Sequence, residues 1–187
     1  GQAVKTGLHG RGAAYAVCAA FAVGTTFGLK PDDISTALSD FQGLQDRLNV
    51  KPLAGITLIS DVYNSSPMAV ISALETLSNI KSSRKIAVLG DMLELGAEEK
   101  AYHRDMITSA IEMGADRVYL FGNLCKSALD SVPIDSLGAK VSVFCDYDRL
   151  EDAVLSDMKT GDAILVKASR AMRLERLVES ILKQYES

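Results

Sequence analysis

Four short polar runs carry the residue types that bind or move charged groups. They are Ser60-Asp61-Val62-Tyr63-Asn64, Gly90-Asp91-Met92-Leu93-Glu94-Leu95-Gly96, Phe121-Gly122-Asn123 and Lys167-Ala168-Ser169-Arg170. Asp61, just ahead of Tyr63 and Asn64, can bind a ribose hydroxyl or a metal-bound water. It is equally a turn former beside a helix start. Asp91 and Glu94 lie in a loop bounded by two glycines. They form either a functional acid pair or two acids favoured by the positive end of a helix. Lys167, Ser169 and Arg170, ahead of a helix, make either an anion site or a solvated basic turn. His103 stands by itself inside a helical pattern, where a histidine is more often structural or exposed than catalytic. Arg47 is a single arginine in a polar stretch. The run from Gly24 to Lys30 has glycines and a lysine, but it lacks the GxxxxGK[ST] spacing and closes a helix instead of opening one.

Each of the four runs follows a β-rich stretch, which sets it at the carboxyl end of a strand. That is where ligands sit in open α/β sheets. The expected strands are 48–53, 56–60, 85–89, 117–121, 141–145 and 163–167. The expected helices between and after them are 67–80, 97–113, 123–130, 147–158 and 171–184. Ser66 and Pro67 read as N-cap and first position of the 67–80 helix, with Val70, Ile71, Leu74 and Leu77 inward. Asp146 reads as the cap of 147–158, and Gly114 as the stop of 97–113. In the last helix Leu174, Leu177, Val178 and Ile181 face inward. Alternating strands and helices predict an α/β fold with a mostly parallel sheet. Residues 11–27 and 32–41 break this rhythm. They are two helices without a sheet, separated by Gly28 and Pro31, and cannot bury both faces by themselves. They read as the end of another domain, followed by a linker at 42–47, so the chain reads as a fragment.

Composition narrows the function classes. Over 187 residues, 48% hydrophobic and 24% charged content describes a globular protein, and a net charge of −4 argues against a sequence-independent nucleic-acid binder. The apolar run from Ala13 to Val23 is too short to span a bilayer, and the start is not a secretory signal. Three widely spaced cysteines with no CxxC pair read as reduced, mostly buried thiols in the cytoplasm. Two distant histidines give no zinc pattern, and no metal ligand set is expected.

Together the segments resemble the Mur ligase family. The residues that carry the resemblance are IAVLGDMLELG at 86–96 followed by His103, DVYNSSP at 61–67, DRL at 46–48 and VKASR at 166–170. The GDMLELG loop is most similar to the branch whose acceptor is D-alanyl-D-alanine. The resemblance implies that residues 1–45 are the helical end of a central ATP-binding domain plus linker, and that 46–187 are a Rossmann-like C-terminal ligase domain. It implies ATP and Mg2+ as cofactors, held mainly by a central domain outside this chain, and an acyl phosphate on the way to a new amide. The substrates it implies are UDP-N-acetylmuramoyl-tripeptide and D-alanyl-D-alanine, used by a cytoplasmic monomer with no nucleic-acid partner and no membrane insertion. Arg47, Asp61, Tyr63, Asn64, Lys167, Ser169 and Arg170 would line the nucleotide crevice, while Asp91 and Glu94 would shape the acceptor side. No catalytic residue is expected within these 187 residues, which should fold without turning over. The sequence departs from the family where His9-Gly10-Arg11-Gly12-Ala13 lacks both asparagines of an HNxxN-like run, and at Ser60, Ser66 and Ala168. Two other readings stay open: a sister ligase of the Mur or folylpolyglutamate type that adds an amino acid, and a non-catalytic α/β binding module.

Overall fold

The computed structural model describes residues 3–41, 43, 44, 46–132 and 140–185, with the Arg11 side chain outside that description. Two compact units emerge, Gly1–Gln45 and Asp46–Ser187. Gln42 and Gln45 of the expected linker lie outside the described residues. No helix among the described residues is long and apolar enough to cross a membrane.

The first unit holds α1 (Arg11–Thr26) and α2 (Pro31–Asp40). Gly24 lets α2 approach, because a Cβ there would meet Ile34 Cδ1 at 2.8 Å. Ile34 is buried, yet Tyr15 (79% exposed) and Phe27 (81%) face outward. Two helices offer one mutual contact stripe, so their other apolar faces stay uncovered.

The second unit is built on β1 (Asn49–Leu53), β2 (Ile56–Asp61), β3 (Arg84–Gly90), β4 (Arg117–Phe121), β5 (Lys140–Phe144) and β6 (Asp162–Lys167). The sheet order is β1-β2-β6-β3-β4-β5. The five strands β2 to β6 pair in parallel, and β1 closes one edge as an antiparallel hairpin with β2. The helices are α3 (Pro67–Asn79), α4 (Glu99–Glu112), α5 (Asn123–Leu129), α6 (Tyr147–Asp157) and α7 (Glu175–Tyr185). Side chains alternate across each strand. Ala163 and Leu165 of β6 therefore join the core beneath α3, α4 and α5, while Ile164 and Val166 join the core beneath α6 and α7. Every residue of β6 is buried, as a central parallel strand covered on both faces must be.

Several local expectations change. Ile71 is 37% exposed and Ala73 takes its inward place on α3. Ser66 occupies the N-cap position without a side-chain cap bond, whereas the Asp146 carboxylate does accept from Arg149 N. The 97–113 helix opens with a 3-10 turn at Gly96–Glu98. The last helix is interrupted, with a 3-10 turn at Arg170–Met172 and Arg173 at φ +55, so α7 starts at Glu175. Cys18 and Cys145 are exposed, and only Cys125 is buried.

Candidate functional site

The site follows from the strand order. β6 is inserted between β2 and β3. Strands β2 and β3 lead into helices on one face, α3 and α4, while β6 leads into α7 on the other. The chain diverges where neighbouring strands exit to opposite faces, which opens a crevice at their carboxyl ends. The turns after β2, β6 and β3 carry three of the four polar runs.

Register brings the first pair together. Asp61 and Lys167 are direct partners at the ends of β2 and β6. Lys167 Nζ donates to Asp61 Oδ2 at 2.6 Å and to the Asn64 carbonyl at 3.0 Å. Asp61 Oδ1 accepts from Leu48 N at 3.2 Å. The Lys167 side chain is only 1% exposed and that of Asp61 13%. Burial pulls the Lys167 ammonium below the ordinary lysine range, against the opposing pull of Asp61, and the Arg47 charge adds to the lowering. Lys167, expected to face phosphates, therefore points into the fold and anchors the 61–64 turn. An ammonium set opposite a carboxylate by strand register finds that partner before it finds solvent.

The Asp46–Leu48 turn presents Arg47. Asp46 and Leu48 both have positive φ, +59 and +46. Such conformations cost non-glycine residues energy and persist only when held. Here Tyr63 N donates to the Asp46 carbonyl, and the Asp61 carboxylate holds Leu48 N. The result sets the Arg47 guanidinium 4.2 Å from the centre of the Tyr63 ring. Arg170, from the turn after β6, stands 5.1 Å from the same ring. A ring face attracts cations by its quadrupole, so one exposed tyrosine holds two guanidiniums that would otherwise repel. Arg47, Tyr63, Asn64 and Arg170 are all exposed.

The 90–96 loop is held from inside the fold. Asp91 is buried, and its carboxylate accepts from Leu124 N at 3.1 Å and Cys125 N at 2.8 Å, capping α5. It holds the loop from within, because two free amides at a helix start are the strongest acceptor-seeking groups nearby. Glu94, at φ +64, is exposed. Ser169 is buried, and its Oγ accepts from Leu93 N at 3.0 Å, joining the turns after β3 and β6.

Asp91, His103 and Cys125 bring possible ligand atoms within 4.8 Å of one another. Their hydrogen bonds are already committed. His103 Nε2 accepts from Met92 N at 2.9 Å, and Nδ1 lies 2.6 Å from the Glu99 carbonyl. Burial, reinforced by Asp91, pushes the Cys125 thiol well up, which keeps it protonated. The group is a hydrogen-bonded core cluster, and its donors do not suit Mg2+, which needs several free oxygens. Sequence reasoning missed His103 as a loop holder and Leu93 as an outward side chain. The pairing of GDMLELG with a histidine one helical turn into α4 was the available signal.

The Mur ligase, glutamate ligase domain family matches residues 46–170. The UDP-N-acetylmuramoyl-tripeptide--D-alanyl-D-alanine ligase of Bacillus subtilis is 34% identical over 171 residues, covering 88% of this chain and 36% of that protein. The Treponema pallidum protein of the same name is 28% identical over 184 residues, covering 98% of this chain and 40% of that one. The MurF ligase of Thermotoga maritima, solved in complex with ADP, superposes with a TM-score of 0.73 at 28% identity, over 89% of this chain and 36% of that one. MurF from Acinetobacter baumannii, at 24% identity, shares the fold with a TM-score of 0.85, over 96% of this chain and 40% of that one. The chain thus spans little more than a third of the length of these relatives. With a matching domain over two thirds of its length, the expected motifs in order and the same sheet, the chain belongs to the Mur ligase family.

Proposed function

We propose that these residues are the C-terminal part of an ATP-dependent ligase that joins D-alanyl-D-alanine to UDP-N-acetylmuramoyl-tripeptide. The observation that carries the reading is the exposed Arg47–Tyr63–Arg170 group at the switch point of the sheet. Two fork-shaped guanidiniums beside an aromatic ring suit a nucleoside polyphosphate. The names of the relatives and the ADP complex of the Thermotoga maritima enzyme support the same choice. ATP would supply the phosphoryl group that activates the tripeptide carboxylate.

The chain's own part is positioning and charge. Arg47 and Arg170 neutralise phosphate charge, which is worth more once a closing site excludes water. Asp61, Lys167 and Asn64 fix the turn from which Tyr63 projects. Asp91 sets the acceptor-side loop from beneath, and Glu94 stands on its outer surface. None of these groups is assigned a proton-transfer step, and Mg2+ is assigned to residues outside this chain. The reading also places the protein in the cytoplasm as a monomer, with no nucleic-acid partner. The 187 residues by themselves would not turn over.

The test is ADP release by the full-length protein given ATP, Mg2+ and the UDP-linked tripeptide, with and without D-alanyl-D-alanine. Dipeptide-dependent release supports the reading. A folded protein that releases no ADP in response to the dipeptide refutes it.

A further inference from the structure

Three consecutive amides of the 90–96 loop each have a separate inward acceptor. Asp91 N donates to the Phe121 carbonyl at 3.0 Å, Met92 N to His103 Nε2 at 2.9 Å, and Leu93 N to Ser169 Oγ at 3.0 Å. Ser169 N returns a bond to the Asp91 carbonyl at 3.2 Å. Because Nε2 accepts the amide, the His103 proton sits on Nδ1 and is donated to the Glu99 carbonyl. His103 and the Met92 side chain are both 0% exposed, so no solvent can substitute for this bond. The clamp turns Met92 inward and leaves Leu93 and Glu94 as the exposed side chains at the tip.

We propose that His103 is a positioning residue for the acceptor dipeptide. It fixes the backbone at Met92, as Ser169 does at Leu93, and so sets where Leu93 and Glu94 stand. This rests on the ligase reading above. It also links the two sides of the crevice, since Ser169 adjoins Arg170, whose guanidinium shares the Tyr63 ring.

The experiment uses the full-length protein with His103→Phe, which keeps a ring but no acceptor, and His103→Gln, whose amide oxygen can reach the Nε2 position. Amide exchange at Met92 and the KM values for dipeptide and ATP are measured. An unmade buried hydrogen bond predicts about tenfold faster Met92 exchange and about tenfold higher dipeptide KM in His103→Phe, with the ATP KM within about twofold. His103→Gln should recover most of both losses. A folded His103→Phe with unchanged dipeptide KM overturns the inference, as does an equal rise in both KM values. If His103→Phe does not fold, Ser169→Ala releases the same loop at Leu93, and an unchanged dipeptide KM there overturns it too. Wild-type protein without dipeptide-dependent ADP release refutes the ligase reading, and the acceptor role falls with it even when Met92 exchange responds. Wild-type release with a silent His103→Phe refutes only the role of His103.

Discussion

Removing one or the other member of the Asp61–Lys167 pair should have unequal consequences. Asp61→Leu strands an ammonium that is 1% exposed, with only the Asn64 carbonyl left to it. Breaking a buried pair in this way costs about 3–5 kcal/mol. Lys167→Met instead leaves a carboxylate that is 13% exposed and still accepts from Leu48 N, so its cost should be about 1–3 kcal/mol. The double variant removes both charges and should lie within about 2 kcal/mol of wild type, the residue being the lost acceptor for Leu48 N. Urea unfolding of the single and double variants, followed by circular dichroism, gives the cycle directly. The single Asp61→Leu change should lower the melting midpoint by about 6–20 °C. pH adds an independent check. The folded Lys167 is held below the ordinary lysine value of 10.5. Between that lowered value and 10.5 the unfolded chain binds more protons, so stability rises with pH across the window and falls as pH drops through the folded value. Asp61→Leu should extend that window downward, and Lys167→Met should abolish it. Equal, additive costs for the two single variants would refute the reasoning.

Other tests reach the rest of the molecule. Tyr63→Ala should weaken ATP binding to the full-length protein by about 5–30-fold, the worth of two exposed cation–ring contacts, while Tyr63→Phe stays near wild type; calorimetric titration decides. Gly122→Ala should destabilise strongly, because φ is +123 and the new methyl would strike the Asp91 carboxylate that caps α5; the unfolding midpoint reports it. Burial pushes the Asp157 carboxyl up, but its hydrogen bonds with Tyr119 and Arg84 and the nearby positive charges outweigh this and hold it below the ordinary range. Its stability contribution is therefore present above the unfolded carboxyl value and lost as pH falls through the folded one, so Asp157→Asn should flatten the acid limb of a stability–pH curve. Two thiols, Cys18 and Cys145, should react with a thiol reagent in the native chain, and Cys125 only after unfolding.

Much of the fold was legible because period and punctuation agree. β3 and β6 are continuous apolar runs ended by Gly90 and Lys167, and Asp146 caps α6 as its sequence suggests. The break at Arg173 was not legible, since Leu174, Leu177, Val178 and Ile181 keep helical spacing right up to it and no proline or glycine marks the turn. In the site, the polar residue types at strand ends marked turns that the fold brings together, and Arg47, Tyr63 and Arg170 converge. Side-chain direction was the hidden part. Whether a strand-end lysine or aspartate faces a ligand or the core depends on its cross-strand partner and on free helix amides. Asp61 supplies the partner for Lys167, and the start of α5 supplies the amides for Asp91. Both depend on contacts more than thirty residues away in sequence, which no local pattern contains.

The most direct measurement is an acceptor competition. The full-length protein is given ATP, Mg2+, the UDP-linked muramoyl tripeptide and equal D-alanyl-D-alanine, D-alanine and L-glutamate, and the nucleotide-linked products are identified by mass spectrometry. The account predicts one product, the tripeptide extended by the intact dipeptide. A product extended by a single amino acid, with none carrying the dipeptide, would contradict it.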